Sequence, residues 1–513
     1  MRLFTELREY QDFAQVVIRY ADMLVDVHPG SRILIIEEDK VSLAAILIAC
    51  FEKGVVSVPI APEAPEERRR AILSHSRVSW TWEDGKLTEI GPLVSSPAEL
   101  RVIVYTSGTT GLPKGVMLSR RNLISNAHTV SQRHDFKGQG HCSPLPLYHV
   151  NAMCMSLFGS YFANSTLVLV EKFNPASVFD ICGNYQCGTI SLVPTLIGRI
   201  LETPAKWPES LRYVISAAAP LSQGLAGRFF SRFGPRLIQG YGLSEATNFS
   251  FIMPLLDTKT FMNEMVEQYP PVGHPLPGTD FKIDKGEVLV RGENNFMGYL
   301  DDDSETKNVL SDGWLRTGDL GEIRNGFLVL RGRKKEIILR GGETIYPAEV
   351  ESFYASRGLP DFMVVGVVDE DLGEDIGVVV EERDAGKLLY VLGTLPGRYQ
   401  PCCMRSFNVL RTSTGKVQRK RMSARLLTGY LAPTELSDLS VEKRSLILKN
   451  TLERMFERFQ AMENDYGIRY SCVDLTGSSR VTDIEARLKS IEANTAICCI
   501  RPPARMADKG EVI

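Results

Sequence analysis

No stretch of this 513-residue chain is apolar for long enough to cross a bilayer. The longest apolar run, Val41 to Phe51, is stopped by Glu52 and Lys53, and a spanning helix needs about 20 residues. The N-terminus carries Arg2, Glu6, Arg8 and Glu9 where a secretory signal needs an apolar core. Neither sign of charge is in excess. Lys and Arg number 59 against 62 Asp and Glu, for a formal net charge of -3, which lacks the basic footprint of a nucleic-acid binder. The ten cysteines contain no C-x-x-C pair and no zinc spacing. Cys402–Cys403 and Cys498–Cys499 are adjacent, which does not suit ordinary disulfide geometry. The expectation is therefore reduced thiols in a cytoplasmic protein. There is no internal repeat of solenoid length. The 44% hydrophobic and 24% charged content is that of a soluble globular chain and excludes wholesale disorder.

The patterns that are present alternate. Phe13 to Val25 repeats apolar residues at helical spacing, with Val16, Val17, Tyr20, Met23 and Leu24 on one face. Arg32–Ile36 reads as a buried strand, Ser42–Phe51 as a helix ending near Gly54, and Val55–Ile60 as the next strand. Strand, helix, strand implies a parallel sheet. The order recurs at Ser165–Val170, Ala176–Tyr185 and Thr189–Val193. From about 280 short β-like segments dominate: 286–290, 326–330 and 336–339. A helix over 347–356 and a strand over 362–368 follow. Ser440 to Asn464 is a charged amphipathic pattern, with an apolar stripe that packs on the chain's own surface, on a second subunit as in a homodimer, or on a partner protein.

The sharpest local feature is the run from Tyr105 to Gly115, directly after the strand-like Val102–Tyr105. Its small hydroxyl residues and glycines let backbone N–H groups converge on an anion. Thr106, Ser107, Thr109 and Thr110 offer hydroxyls, Gly108 and Gly111 allow close approach, and Lys114 adds a mobile cation. The order is not the G-x-x-x-x-G-K-[ST] of a P-loop, and no G-x-G-x-x-G fingerprint opens a βαβ unit.

Tyr105 to Gly115 resembles the signature loop of the ANL adenylate-forming enzymes, the superfamily of acyl- and aryl-CoA synthetases, peptide-synthetase adenylation domains and luciferases. Five further segments are similar to that family's motifs, in its order: Leu145–His149, Ile238–Glu245, Trp314–Asp319, Gly332–Glu343 and Arg411–Val417. The resemblance covers about 40 to 430. It implies an α/β fold: a large N-terminal domain of stacked α/β subdomains plus a β-barrel-like part, and a small mobile α+β C-terminal domain. The corresponding boundaries are 1–334, then 335–430 with a hinge at Lys335, then an extension over 431–513 of unknown role.

The same resemblance implies ATP-dependent activation of a carboxylic acid as an acyl-adenylate, with Mg²⁺, then transfer to a thiol. The 106–115 loop would hold the β and γ phosphates. Glu245 would hold Mg²⁺, because hard cations take carboxylate oxygens. Tyr241 would lie on the adenine, with room left by Gly240 and Gly242 and a second wall at Ala218. Asp319 would accept from the ribose hydroxyls, and Arg333 would anchor the nucleotide. Lys416 would bridge the substrate carboxylate and the α-phosphate. His149 would touch the acyl pocket and gate the thiol, beside Val150, Met153, Ser216, Ala217, Gln239, Gly240 and Leu243.

Amino-acid-activating relatives place an acid soon after position 149 to pair the substrate's ammonium. Here the segment reads Val150-Asn151-Ala152-Met153, and a buried ammonium without a partner is costly. A small carboxylic acid lacking an α-amine is therefore favoured. Coenzyme A is the ordinary acceptor. The phosphopantetheine of a separate carrier protein or an amine remain open, as do a catalytically inactive nucleotide-binding relative and a luciferase-like oxygenase. Replacing Lys416 by alanine should abolish acid-dependent pyrophosphate exchange and leave thioester formation from preformed adenylate largely intact. Equal loss of both half-reactions would remove Lys416 from the first step.

Overall fold

The computed structural model describes residues 1–5, 9–10, 12–106, 114–355, 362–369, 372–380 and 403–406. The chain divides into two units, one of Met1–Leu221 with Leu225–Leu330, the other of Ser222–Gly224 with the chain from Arg331 onward.

Among the described residues the first unit is built on three sheets. The first orders its parallel strands around Arg32–Ile36, Val56–Ile60, Trp80–Glu83 and Leu100–Thr106, as the strand–helix–strand pattern predicts. Arg32–Ile36 alternates: Ile33 and Ile35 enter one apolar cluster, Leu34 and Ile36 another. That period of two, with both faces buried, is what a doubly covered parallel sheet requires. The helix Lys40–Lys53 extends the expected span by two residues at each end. Asp39 caps it by accepting from the Ser42 amide at 2.6 Å, and Gly54 closes it in the left-handed region at φ 70°. Ten of its residues are buried, so it is an internal helix rather than an amphipathic surface one.

The second sheet has nine strands, with Gly140–Ser143, Thr166–Leu169, Cys187–Leu192, Tyr213–Ser216 and Leu237–Leu243 running parallel at its centre. Helices Val178–Asn184, Pro194–Leu201 and Gln223–Phe233 contribute to the apolar cluster on one of its faces. The third sheet, Thr279–Asp284, Glu287–Gly292, Trp314–Arg324, Leu310–Ser311 and Phe327–Arg333, is antiparallel where its pairing is resolved and corresponds to the barrel-like part. One continuous apolar cluster joins Ile33 and Val102 of the first sheet, Leu167 and Leu169 of the second, and Val288, Val290 and Leu315 of the third.

The second unit carries strands Ile338–Arg340, Glu343–Ile345, Phe362–Asp369, Gly373–Val380 and Cys403–Ser406, and the helix Pro347–Ala355. The small α+β texture read from the sequence after 335 is present there. Ser440–Asn464 lies outside the described residues.

One helix face differs from its reading. In Phe13–Met23, Val16, Val17 and Tyr20 are half-buried and Leu24 is buried at the cap, but Met23 is 41% exposed. Tyr20 fixes the rotation by donating to Ser42 Oγ at 2.7 Å and packing on Trp82 at 5.3 Å, which turns Met23 outward.

Two histidines are spent on the core. His141 lies against Phe136 with ring centroids 4.6 Å apart, and its nitrogens bond Thr189 Oγ1 at 2.9 Å and Ser156 Oγ at 3.0 Å. His134 Nδ1 bonds the Tyr213 hydroxyl at 3.0 Å. Burial pushes the His141 pKa down to about 3, and burial with the nearby Arg133 lowers that of His134. Both stay neutral in the fold and take a proton only when released. Their contribution is complete above about pH 6.5 and is lost as pH falls from there towards the folded values, by up to about 1.4 kcal/mol per pH unit for each. Urea denaturation of the wild type at pH 7, 6 and 5 should show this decline. His141→Gln, although less stable at pH 7, should show a slope smaller by roughly one proton.

Candidate functional site

The phosphate-loop run sits between two paired strands. Leu100–Thr106 and Lys114–Ser119 are antiparallel, with Thr106 opposite Lys114. Ser107, Gly108, Thr109, Thr110 and Gly111 lie outside the described residues. Lys114 is held at the loop's exit: its Nζ is 2.6 Å from Glu305 Oε1 and 5.0 Å from the ring centroid of Tyr299.

Tyr299 is a residue sequence reasoning missed. It belongs to Gly298–Tyr299, a two-residue strand that pairs antiparallel with Val116 and Met117. Its hydroxyl donates to Glu245 Oε1 at 2.9 Å. Glu245 sits in the short turn Ser244–Ala246, immediately after the strand Leu237–Leu243. The backbone carbonyl of Glu245 accepts from the Phe296 amide at 2.8 Å, which ties the turn to the segment leading into Tyr299. Burial, then the Glu245 charge, push the Tyr299 phenol well above its ordinary pKa. It stays a neutral donor. No sequence period flags a two-residue strand, so only the fold reveals this contact.

Tyr241 and Asp319, expected at the adenine and the ribose, are directly bonded. The Tyr241 hydroxyl donates to Asp319 Oδ2 at 2.5 Å, and both residues are buried. Asp319 lies in Trp314–Arg324, where its own amide donates to Thr317 Oγ1 at 3.1 Å. The strand carrying Tyr241 also explains Gly242. A Cβ there would fall 1.5 Å from the Asn248 carbonyl oxygen of the neighbouring strand Asn248–Ile252. Ser216, at the end of Tyr213–Ser216, has a buried hydroxyl with no hydrogen-bond partner among the described residues. Ala217 is buried, and Ala218 holds φ 65°, a left-handed conformation uncommon for a side chain with a Cβ. Ser216 and Gly240 to Leu243 thus occupy the carboxyl ends of adjacent parallel strands, with Ala217 and Glu245 just beyond them, where open α/β sheets place ligands.

The segment expected to line the acyl pocket takes an unusual form. Asn151–Phe158 is a π-helix, with Val150 as its first cap, and such turns occur often at functional sites. His149 precedes it; its ring lies 4.7 Å from that of Tyr148 and its carbonyl accepts from the Met153 amide at 2.9 Å. Met153 is fully buried. Asn151 donates to Asn248 Oδ1 and accepts from the Ser191 hydroxyl, each at 3.2 Å. Gln239, read as a pocket wall, has its amide engaged with backbone: it accepts from Leu221 N at 3.0 Å and donates to the carbonyls of Pro270 and Pro271 at 3.3 and 3.1 Å. Leu243 is half-buried at its strand's end.

Arg333 ends the strand Phe327–Arg333, and Lys335 is exposed in the turn before Ile338–Arg340. Both belong to the second unit. Lys416 lies outside the described residues.

The family model described as AMP-binding enzyme matches residues 6–83 and 80–300. A sulfoacetate–CoA ligase of Cupriavidus necator is 30% identical over 435 residues, 74% of this chain and 84% of that protein. An indoleacetate–CoA ligase of Aromatoleum aromaticum is 34% identical over 62% of this chain and 66% of its own. Among solved structures, the o-succinylbenzoate coenzyme A synthetase of Bacillus subtilis in complex with ATP and magnesium superposes with a TM-score of 0.70 at 25% identity, covering 82% of this chain and 95% of that one. The chain belongs to the AMP-binding enzyme family, the adenylate-forming class that the ordered motifs resemble.

Gly242→Ala should force the Leu237–Leu243 and Asn248–Ile252 strands apart and cost about 2 kcal/mol or more in urea denaturation. A variant as stable as the wild type would mean that the strands can separate cheaply there.

Proposed function

We propose that this protein joins a carboxylic acid lacking an α-amine to coenzyme A, using ATP and passing through an acyl-adenylate. The observation that carries the reading is the polar layout of the first unit. A cation at the exit of the phosphate loop, Lys114, and a carboxylate, Glu245, flank the single ring of Tyr299. Tyr241 and Asp319 form a second bonded pair, each suited to one part of a nucleoside. The protein is an AMP-forming acid–thiol ligase, the class to which the named CoA ligases among its relatives belong.

In the first step a substrate carboxylate oxygen bonds to the α-phosphorus of ATP and the bond to the bridging oxygen breaks, releasing pyrophosphate. An anion approaches a polyanion, so the chain must supply positive charge. Lys114 does so at the β and γ phosphates and Lys416 at the reacting centre. Glu245 fits Mg²⁺: Oε1 is held by Tyr299 and the residue is only partly buried. Among the described residues no three His, Cys, Asp or Glu side chains converge on a metal site. A cation here would be shared with ATP phosphates and water, as Mg²⁺ commonly is, and when bound it withdraws charge from those phosphates. Asp319 accepts from the ribose and Tyr241 covers the adenine. In the second step the thiol sulfur bonds to the acyl carbon and AMP leaves, with the second unit moving about Lys335 between steps.

The acyl group lies against Val150, Met153, Ser216, Ala217 and Leu243, near His149. Asn151 is already bonded to Asn248 and Ser191, and the first turn of the π-helix carries no acidic residue of its own to pair an ammonium. The chemistry is that of a largely apolar acid, aryl or medium-chain, handled in the cytoplasm. AMP and pyrophosphate release across a panel of carboxylic acids, with and without coenzyme A, tests this. Release should rise with aryl or medium acyl acids, stay at background with amino acids, and yield thioester only with coenzyme A. Release stimulated by no acid would overturn the enzyme assignment, and amino-acid stimulation would overturn the substrate class.

A further inference from the structure

The reaction as written gives Tyr299 no part, yet this residue touches two groups assigned to ATP. We propose that Tyr299 is a positioning residue that sets the spacing between the magnesium carboxylate and the phosphate-loop cation before nucleotide arrives. The inference rests on the reading of Glu245 and Lys114 given above.

Its two ends act on different charges. The hydroxyl donates to Glu245 Oε1 at 2.9 Å, which fixes that oxygen and directs the rotation of the carboxylate. The ring face lies 5.0 Å from Lys114 Nζ, within the range of a cation–π attraction. Glu305 Oε1 holds the same ammonium at 2.6 Å from another direction. Lys114 is thereby restrained from two sides, by a ring that polyphosphate does not compete for and by a carboxylate whose place phosphate oxygens can take.

Tyr299 can act as a reference point because it is itself fixed. Its amide donates to Thr306 Oγ1 at 2.8 Å, and that hydroxyl donates onward to the Asp302 carbonyl at 2.8 Å. Phe296 meets the ring edge-on at 4.9 Å. The backbone is paired with Val116, two residues along the strand from Lys114.

A residue that only filled the core would tolerate phenylalanine. The test is calorimetric titration of ATP into the full-length protein, in EDTA and over a series of Mg²⁺ concentrations, at 10 °C so that a lowered melting point does not enter the comparison. Tyr299→Phe keeps the ring and loses the donor. It should bind ATP in EDTA as the wild type does and require about tenfold more Mg²⁺ for the same gain in affinity. Tyr299→Leu loses the ring as well and should in addition bind ATP in EDTA roughly threefold more weakly. Glu245→Gln should lose the Mg²⁺ gain altogether. If Glu245→Gln keeps that gain, the assignment of Glu245 to the metal fails. If Glu245→Gln loses it while Tyr299→Phe matches the wild type at every Mg²⁺ concentration, that assignment stands and the positioning role of Tyr299 is overturned.

Discussion

Pairing of Gly298–Tyr299 with Val116 and Met117 is the join on which the site's geometry depends. The Met297 amide donates to the Met117 carbonyl at 2.9 Å and the Leu300 amide to that of Gly115 at 2.8 Å, so four consecutive residues are stitched to the strand leaving the phosphate loop. Just upstream, Phe296 is bonded to the turn that carries Glu245. A few backbone bonds thus bring together three regions spread over nearly two hundred residues: the strand after the loop, the turn at 244–246 and the chain at 296–306. Lys114 and the turn carrying Glu245 belong to two different sheets, and the join adds hydrogen-bonded register to the apolar cluster that packs those sheets together. Preset spacing matters because a flexible pair would have to be ordered by the nucleotide, and that ordering would be subtracted from its affinity.

Both carboxylates proposed to face the nucleotide accept a hydrogen bond from a tyrosine. Tyr241 donates to Asp319 and Tyr299 to Glu245. An arginine would hold either acid more strongly, but it would also cancel the charge that a cation or a ribose hydroxyl needs to meet. A neutral phenol directs the carboxylate and leaves its charge in place. Two independent uses of the same device, on strands of different sheets, point to a shared electrostatic requirement.

What could be read from the sequence followed from periodicity and from punctuation. Arg32–Ile36 was delimited to the residue because a strand buried on both faces is an unbroken apolar run. The helix read at Ser42–Phe51, observed over Lys40–Lys53, is legible because Gly54 marks its end. The loop from 105 to 115 stood out by composition, and the order of the later motifs carried the family. The rest was hidden for physical reasons. A π-helix has the same composition as an α-helix of equal burial, so nothing in Asn151–Phe158 distinguishes the two. Tyr299 depends on a strand too short to have a period. Gln239, expected at the acyl pocket, bonds through its side-chain amide to the carbonyls of Pro270 and Pro271, thirty residues away, and no sequence pattern marks those partners. Met23 satisfies a helical stripe, yet the rotation of its helix is set by contacts of Tyr20 with Ser42 and Trp82, both distant in sequence.

In the proposed reaction most residues assigned to recognising the nucleotide and the acid, from Lys114 to Asp319, belong to the first unit, while Arg333, assigned to anchor the nucleotide, and Lys335 belong to the second. Lys416, assigned to the reacting centre, follows them in the sequence. Separating the reactive lysine from most of the recognition groups would make the two properties separable in principle. Interactions made equally with substrate and transition state lower KM without raising kcat, whereas a group that acts only as charge develops raises kcat. Residues of the first kind require a rigid, well-packed support, and the continuous apolar cluster joining three sheets provides one. In the proposed reaction a group of the second kind acts in one half-reaction and is withdrawn for the next, which a side chain rooted in that core could not do.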